Sequence, residues 1–219
     1  MNRHQTCPAL VLALRPFGES NREAFFLTPS DGVIRAAVYG GPKSKLRAYV
    51  APFQTGTLYL YHDTVRETNK VSDFDVSAWR PGIRELLERL ETAAFIADAL
   101  LAGAGGGSEC ESAFILANAG FDALQTASAL LCEKIRVHFL WNWLEILGLR
   151  PSPDEGFPAE NFTAKKTARP LLNTETFRFL TAIGQMPPHE LEHIAPGTTS
   201  FSQIAAFLNG MWREVLGKR

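Results

Sequence analysis

The sequence predicts an α+β protein, with a small five-stranded β-barrel, closed or nearly closed, followed by an α-helical domain. Three observations carry that prediction. Across residues 9–71, short apolar-rich runs are separated by turn-forming residues, the pattern of a small antiparallel barrel. After Pro81 the period changes, and apolar residues recur at helical spacing to the end of the chain. The 219 residues, 46% hydrophobic and 21% charged, suffice for one large globular unit or two small ones.

The first strand is expected at residues 9–15, with Leu10, Leu12 and Leu14 on one face and Val11, Ala13 and Arg15 on the other. The second, residues 22–28, is rich in aromatics and closes in Pro29-Ser30-Asp31-Gly32, which has hairpin-turn chemistry. The third, residues 32–39, sets Arg35, Ala37 and Tyr39 opposite Ile34, Ala36 and Val38. In the fourth, residues 56–61, Leu58 and Leu60 point inward, while Thr57, Tyr59 and Tyr61 point outward. A fifth strand is expected around residues 64–71. Phe25, Phe26 and Phe53 are assigned to the core.

Between the third and fourth strands, Gly40, Gly41 and Pro42 break the pattern, and Lys43, Lys45 and Arg47 follow within five residues. The segment lacks the Gly-x-x-x-x-Gly-Lys-Ser/Thr spacing, so nucleotide hydrolysis has no support. Two readings stay open: a solvated loop, or one that wraps a phosphate backbone. Arg35, Tyr39, Tyr59 and Tyr61 together would give an outward surface of rings and cations. Such a surface stacks on any base without regard to sequence, although the tyrosines could instead pack on the second domain. Net charge is only −1, but the first 60 residues carry seven Lys/Arg against three acids and the remainder is net acidic. That asymmetry could orient a polyanion.

The first helix runs through Ile83, Leu86, Leu87, Leu90, Ala94, Ala97 and Leu101, and ends in a glycine-rich connector, residues 102–108. The connector follows a helix and lacks the last glycine of a dinucleotide fingerprint. Helices are also expected at residues 112–125, 126–147, 174–185 and 200–216, the last with Ser200 as its N-cap. The helix at 126–147 is apolar on most sides, with a narrow polar stripe of Lys134, His138, Asn142 and Glu145. It should be the central helix of a bundle, wet only along that stripe. His138 has no titratable partner and reads as a stripe residue rather than a base. Residues 151–166 read as an irregular, proline-rich loop, and the cluster Lys165, Lys166 and Arg169 at its end reads as solvated surface, with an extension of the phosphate-binding path as the alternative.

Cys7, Cys110 and Cys132 lie far apart with no ligand-spaced partner, so no metal site is expected, and Cys132 reads as a core residue. No apolar run approaches the roughly 20 residues that span a bilayer. The apolar stretch at residues 7–14 lacks a cleavage site, so a cytoplasmic protein is expected. No nucleophile–base pair or phosphate loop is present, and neither catalysis nor a cofactor is expected.

Three segments in fixed order carry a family resemblance. They are Phe17-Gly18-Glu19-Ser20-Asn21 after the first strand, Thr28-Pro29-Ser30-Asp31-Gly32 after the second, and Lys43-Ser44-Lys45-Leu46-Arg47 leading to Pro52-Phe53. The chain thereby resembles the bacterial recombination mediator RecO family. The resemblance implies an OB-fold over residues 1–78 and a helical domain over residues 79–219. It implies binding of single- and double-stranded DNA without sequence specificity, and annealing of complementary strands. It also implies partnership with RecR, to help RecA replace single-strand binding protein. The candidate DNA-binding residues are Arg15, Arg22, Arg35, Tyr39, Lys43, Lys45, Arg47, Tyr59 and Tyr61. The alternative is an adaptor that docks RecR or single-strand binding protein with little DNA binding of its own. One departure stands out: many members carry a four-cysteine zinc motif where residues 151–166 lie, and no cysteine occurs there in this chain.

Overall fold

The computed structural model describes residues 3–40, 44–65, 67–103, 109–150, 174–195 and 201–217. Five strands, β1 (His4–Phe17), β2 (Asn21–Thr28), β3 (Gly32–Val38), β4 (Thr55–Asp63) and β5 (Thr68–Ala78), close a barrel in the order β1-β2-β3-β5-β4. All neighbours run antiparallel except β3 and β5, which are parallel through Ala37 and Lys70. Cys7, Ala9, Val11, Ala24, Phe26, Ala36, Val38, Leu58, Leu60, Val71 and Phe74 fill the interior. The β2–β3 turn is held by Thr28, whose hydroxyl donates to the Gly32 carbonyl and accepts from the Asp31 amide. Gly32 sits there at a φ of 67°, which favours glycine.

Simple alternation fails in β1. A bulge between Val11 and Ala13 leaves Leu12 as the extra residue, and a bulge shifts every later side chain to the other face. Leu10 and Leu12 face the helices, whereas Leu14, beyond the bulge, joins Val11 in lining the barrel. The fifth strand begins at Thr68 rather than 64 and runs to Ala78, past two register shifts against β4 that blur its period. Part of the basic loop is also regular: Lys45–Tyr49 forms a short helix, α1, with Leu46 and Val50 turned to the barrel core. Phe25 is only partly buried and lies on the outer face, and Phe53 packs on Phe121 of the helical part. Of the three phenylalanines assigned to the core, only Phe26 lines the barrel.

Beyond Arg80, a 3-10 turn (Pro81–Arg84) leads into α2 (Leu87–Gly103), α3 (Cys110–Leu124), α4 (Ala129–Ile146), α5 (Thr174–Gly184) and α6 (Phe201–Gly217). A second 3-10 segment, Pro188–His193, lies between α5 and α6. Ser128 caps α4 by accepting from the Leu131 amide. Ser200, expected to cap α6, lies outside the described residues, as do loop 151–166, Lys165, Lys166 and Arg169. α4 packs against α2, α3, α5 and α6, as its mostly apolar circumference requires. Burial raises the Cys132 thiol to about 11, the behaviour of a core cysteine.

The polar stripe of α4 is wet only at its carboxy-terminal end, where Glu145 is exposed. Lys134 and His138 are buried beneath the segment that follows α5. His138 donates from Nε2 to the Met186 carbonyl at 3.0 Å, and Asn142 donates to the Gly184 carbonyl at 3.1 Å. Burial pushes the His138 pKa below its ordinary 6.5, with the Met186 carbonyl opposing. The unfolded chain therefore takes up this proton first as pH falls. Stability from neutral His138 is complete above about pH 6.5 and is lost below it, down to the depressed folded pKa. The wild-type melting midpoint is expected to fall from about pH 7.5 to about pH 5.5 more steeply than that of His138→Gln, which starts lower. Parallel pH profiles would remove the assignment.

Candidate nucleic-acid interface

β3 organises the outer face of the barrel. Its extended backbone turns Arg35, Ala37 and Tyr39 to the same side, leaving Arg35 and Tyr39 exposed. On one flank, the β2–β3 register sets Phe25 opposite Arg35, and the Arg15 guanidinium lies 4.8 Å over the Phe25 ring. Arg15 and Arg35 thus sit on either side of one ring. On the other flank, Ala37 is opposite Lys70, and Lys70 is opposite Tyr61. The Lys70 ammonium lies 6.0 Å from the Tyr39 ring and 5.9 Å from the Tyr61 ring, at the limit of cation–π attraction. It also pairs with Asp63 at 3.0 Å, and His4 packs edge-on against Tyr61.

Four of the expected residues, Arg15, Arg35, Tyr39 and Tyr61, are therefore gathered around β3. Arg22, half-buried at the start of β2, stands opposite Val38 at the far end of the same strand. Lys45 and Arg47 sit apart, on α1, which packs against β5. Lys43 lies outside the described residues. Tyr59 also stands apart from the β3 group. It faces Asp73 in register and donates its hydroxyl to Asp75 at 3.1 Å; that hydrogen bond, helped by the carboxylate charge, raises the phenol pKa. Two acids beside a ring repel phosphate, so this part of β4 and β5 is electrostatically opposite to the β3 face.

Lys70 and Phe25 join the group, although neither stands out in the sequence as a binding residue. Alternation in β5 could have found Lys70 had the strand been started four residues later. Apolar residues also stand in water next to two connections: Phe17 at the end of β1 and Val65 between β4 and β5. Barrels of this kind bind oligonucleotides with strands 2 and 3 and with those two loops. The face combines stacking rings and cations with the Asp63 carboxylate and the His4 ring. Among the described residues, no group of three or more His, Cys, Asp or Glu could hold a metal ion, and no helix is long and apolar enough to cross a membrane.

The strand order, with a short helix between β3 and β4, makes the barrel an OB-fold, here joined to a helical bundle. Comparison with known proteins carries this class to a family. Residues 1–78 match the family model described as recombination protein O N terminal. DNA repair protein RecO of Acaryochloris marina (strain MBIC 11017) is 28% identical over 153 residues, covering 69% of this chain and 52% of that relative. The chain thus spans about half the length of the curated relative it matches. The RecO resemblance read from the sequence is borne out: the barrel matches the amino-terminal domain of that family, and the relative that extends into the helical part is a RecO protein.

Proposed function

We propose that this protein is a recombination mediator of DNA repair, acting in the cytoplasm. It binds single- and double-stranded DNA without sequence specificity and anneals complementary strands. With RecR, it helps RecA displace single-strand binding protein. It is not an enzyme and uses no cofactor. The observation that carries the reading is the β3 face, where Arg15 and Arg35 flank Phe25, and Lys70 stands between Tyr39 and Tyr61. Rings that stack on any base, set among cations that follow phosphates, suit binding that is indifferent to sequence. Family membership of the barrel supports the repair context.

The test is fluorescence anisotropy with labelled single-stranded oligonucleotides of unrelated sequence across a salt series. Wild type is expected to bind at low salt and to weaken steeply as salt rises. The combined change Arg15→Ala, Arg35→Ala and Lys70→Ala should weaken all the oligonucleotides alike. It should also make the slope of log affinity against log salt shallower by about 2, since each phosphate that is no longer neutralised removes about 0.7. Tyr61→Ala should weaken binding by at least about fivefold, as expected when a stacking ring is removed, and Tyr59→Ala should change it little. An unchanged affinity and slope in the triple variant would sink the β3 site.

The acidic flank of Asp73 and Asp75 beside Tyr59 favours a second reading, an adaptor that docks RecR or single-strand binding protein. That reading requires the partner to co-elute with the triple variant as it does with wild type, and no DNA binding at low salt.

A further inference from the structure

We propose a second base-stacking platform, formed by Tyr49 and Trp79 and placed away from the β3 face, that takes an unpaired base of single-stranded nucleic acid. The proposal rests on the nucleic-acid reading above and adds a separate contact to it. Trp79 is 50% exposed and Tyr49 is 39% exposed, and their rings meet edge to face with centroids 5.9 Å apart. An edge-to-face pair leaves ring surface open for a third flat partner. Single exposed aromatics are ordinary on a protein surface, but two in contact and still open to water have not found a protein partner.

Both rings are carried on fixed backbone. Leu46 and Val50 anchor α1 to the barrel core, which turns Lys45, Ala48 and Tyr49 outward. Lys45 and Tyr49 are four residues apart on that helix and so share a face. The Trp79 carbonyl accepts from Gln125 at 3.1 Å, tying its peptide to the helical part. Arg84, exposed just beyond, donates to the Pro52 carbonyl at 3.1 Å and so stays beside the end of α1. Its acidic neighbour, Glu85, is engaged with Arg89 at 3.8 Å. Two rings on rigid supports, with Lys45 and Arg84 flanking them, match the combination that holds single strands: stacking for the base and cations for the backbone. That charge selects a polyanion over an apolar protein segment.

The chain offers its own probe. Of its four tryptophans, Trp79 stands in water, while Trp141, Trp143 and Trp212 are buried. Titrating wild-type protein with unlabelled oligothymidylate is expected to quench Trp79 emission and to shield it from acrylamide. A duplex, whose bases are already stacked, should bind without that quenching. Trp79→Ala should weaken oligothymidylate binding, followed by anisotropy of a labelled strand, by between about fivefold and a hundredfold. Trp79→Phe, which keeps a ring, should retain most of the affinity. If anisotropy shows binding while Trp79 emission and acrylamide access stay unchanged and Trp79→Ala binds like wild type, the platform is overturned and the β3 reading survives. If wild type binds no oligonucleotide at low salt, both fall together.

Discussion

Replacing Arg80 with alanine is expected to cost about 3 kcal/mol of stability, the largest effect of any single barrel-to-helix contact, and to lower the melting midpoint by roughly 10 °C. The side chain is almost fully buried where β5 leaves the barrel. All three nitrogens of its fork donate: Nε to Asp122 at 2.7 Å, one terminal nitrogen to the Phe53 carbonyl and the Thr55 hydroxyl at 2.7 and 2.8 Å, and the other to Asn118 at 2.9 Å. Phe53 and Thr55 belong to the barrel side and Asn118 and Asp122 to α3, so one guanidinium joins the two parts. Phe53 also sits at a φ of 72°, in the left-handed region where a bulky residue is strained. Arg80 on its carbonyl and Val11 on its amide hold it there.

Comparison of two further variants separates the causes. Asp122 is 62% exposed, so the ion pair is screened, and Asp122→Asn is expected to cost under about 1 kcal/mol. Arg80→Lys keeps the charge but loses the planar fork, and should recover little. Chemical denaturation of the three variants decides it. An Asp122→Asn loss as large as that of Arg80→Ala would mean that charge pairing, and not the four-acceptor fork, joins barrel to helices.

What could be read from the sequence divides along physical lines. Alternation was enough for β3, where Arg35 and Tyr39 face out and Ala36 and Val38 face in, because no bulge interrupts that strand. It misassigned β1 because a single extra residue, Leu12, inverts the faces, and nothing in an apolar run marks which residue is extra. The polarity of α4 was legible as a stripe, but periodicity cannot say whether water or another segment covers it. Arg80 was silent for a related reason. Its acceptors lie 25 to 42 residues away, and only the folded chain brings them together. The candidate site was legible in part. Tyr39 and Tyr61 were chosen for the right geometry, yet they meet only through Lys70, and Tyr59, chosen by the same rule, stands among acids that cross-strand pairing supplied.

The buried Lys134 gives the second large effect. Its ammonium has three protons and three backbone carbonyls to take them: Leu191 at 3.0 Å, Glu192 at 2.6 Å and Ile194 at 2.8 Å. These carbonyls lie at and just beyond the carboxy-terminal end of the 3-10 segment Pro188–His193, and that of Leu191 accepts from the Ile194 amide as well. The same ammonium lies 5.4 Å from the ring of Phe201, the first residue of α6. One charge therefore fastens α4 to the segment that precedes the last helix. Lys134→Met keeps the stem in its apolar surroundings and removes only the charge, so the cost is that of the abandoned carbonyls. It is expected at about 2–3 kcal/mol, since the exposed Glu192 end can recruit water. The loss should be local before it is global: hydrogen exchange should accelerate at residues 188–195 and the start of α6, with the amides of β1 and β2 changing far less. Uniform acceleration across the barrel and helices would instead show that Lys134 contributes to global stability without fastening this segment in particular.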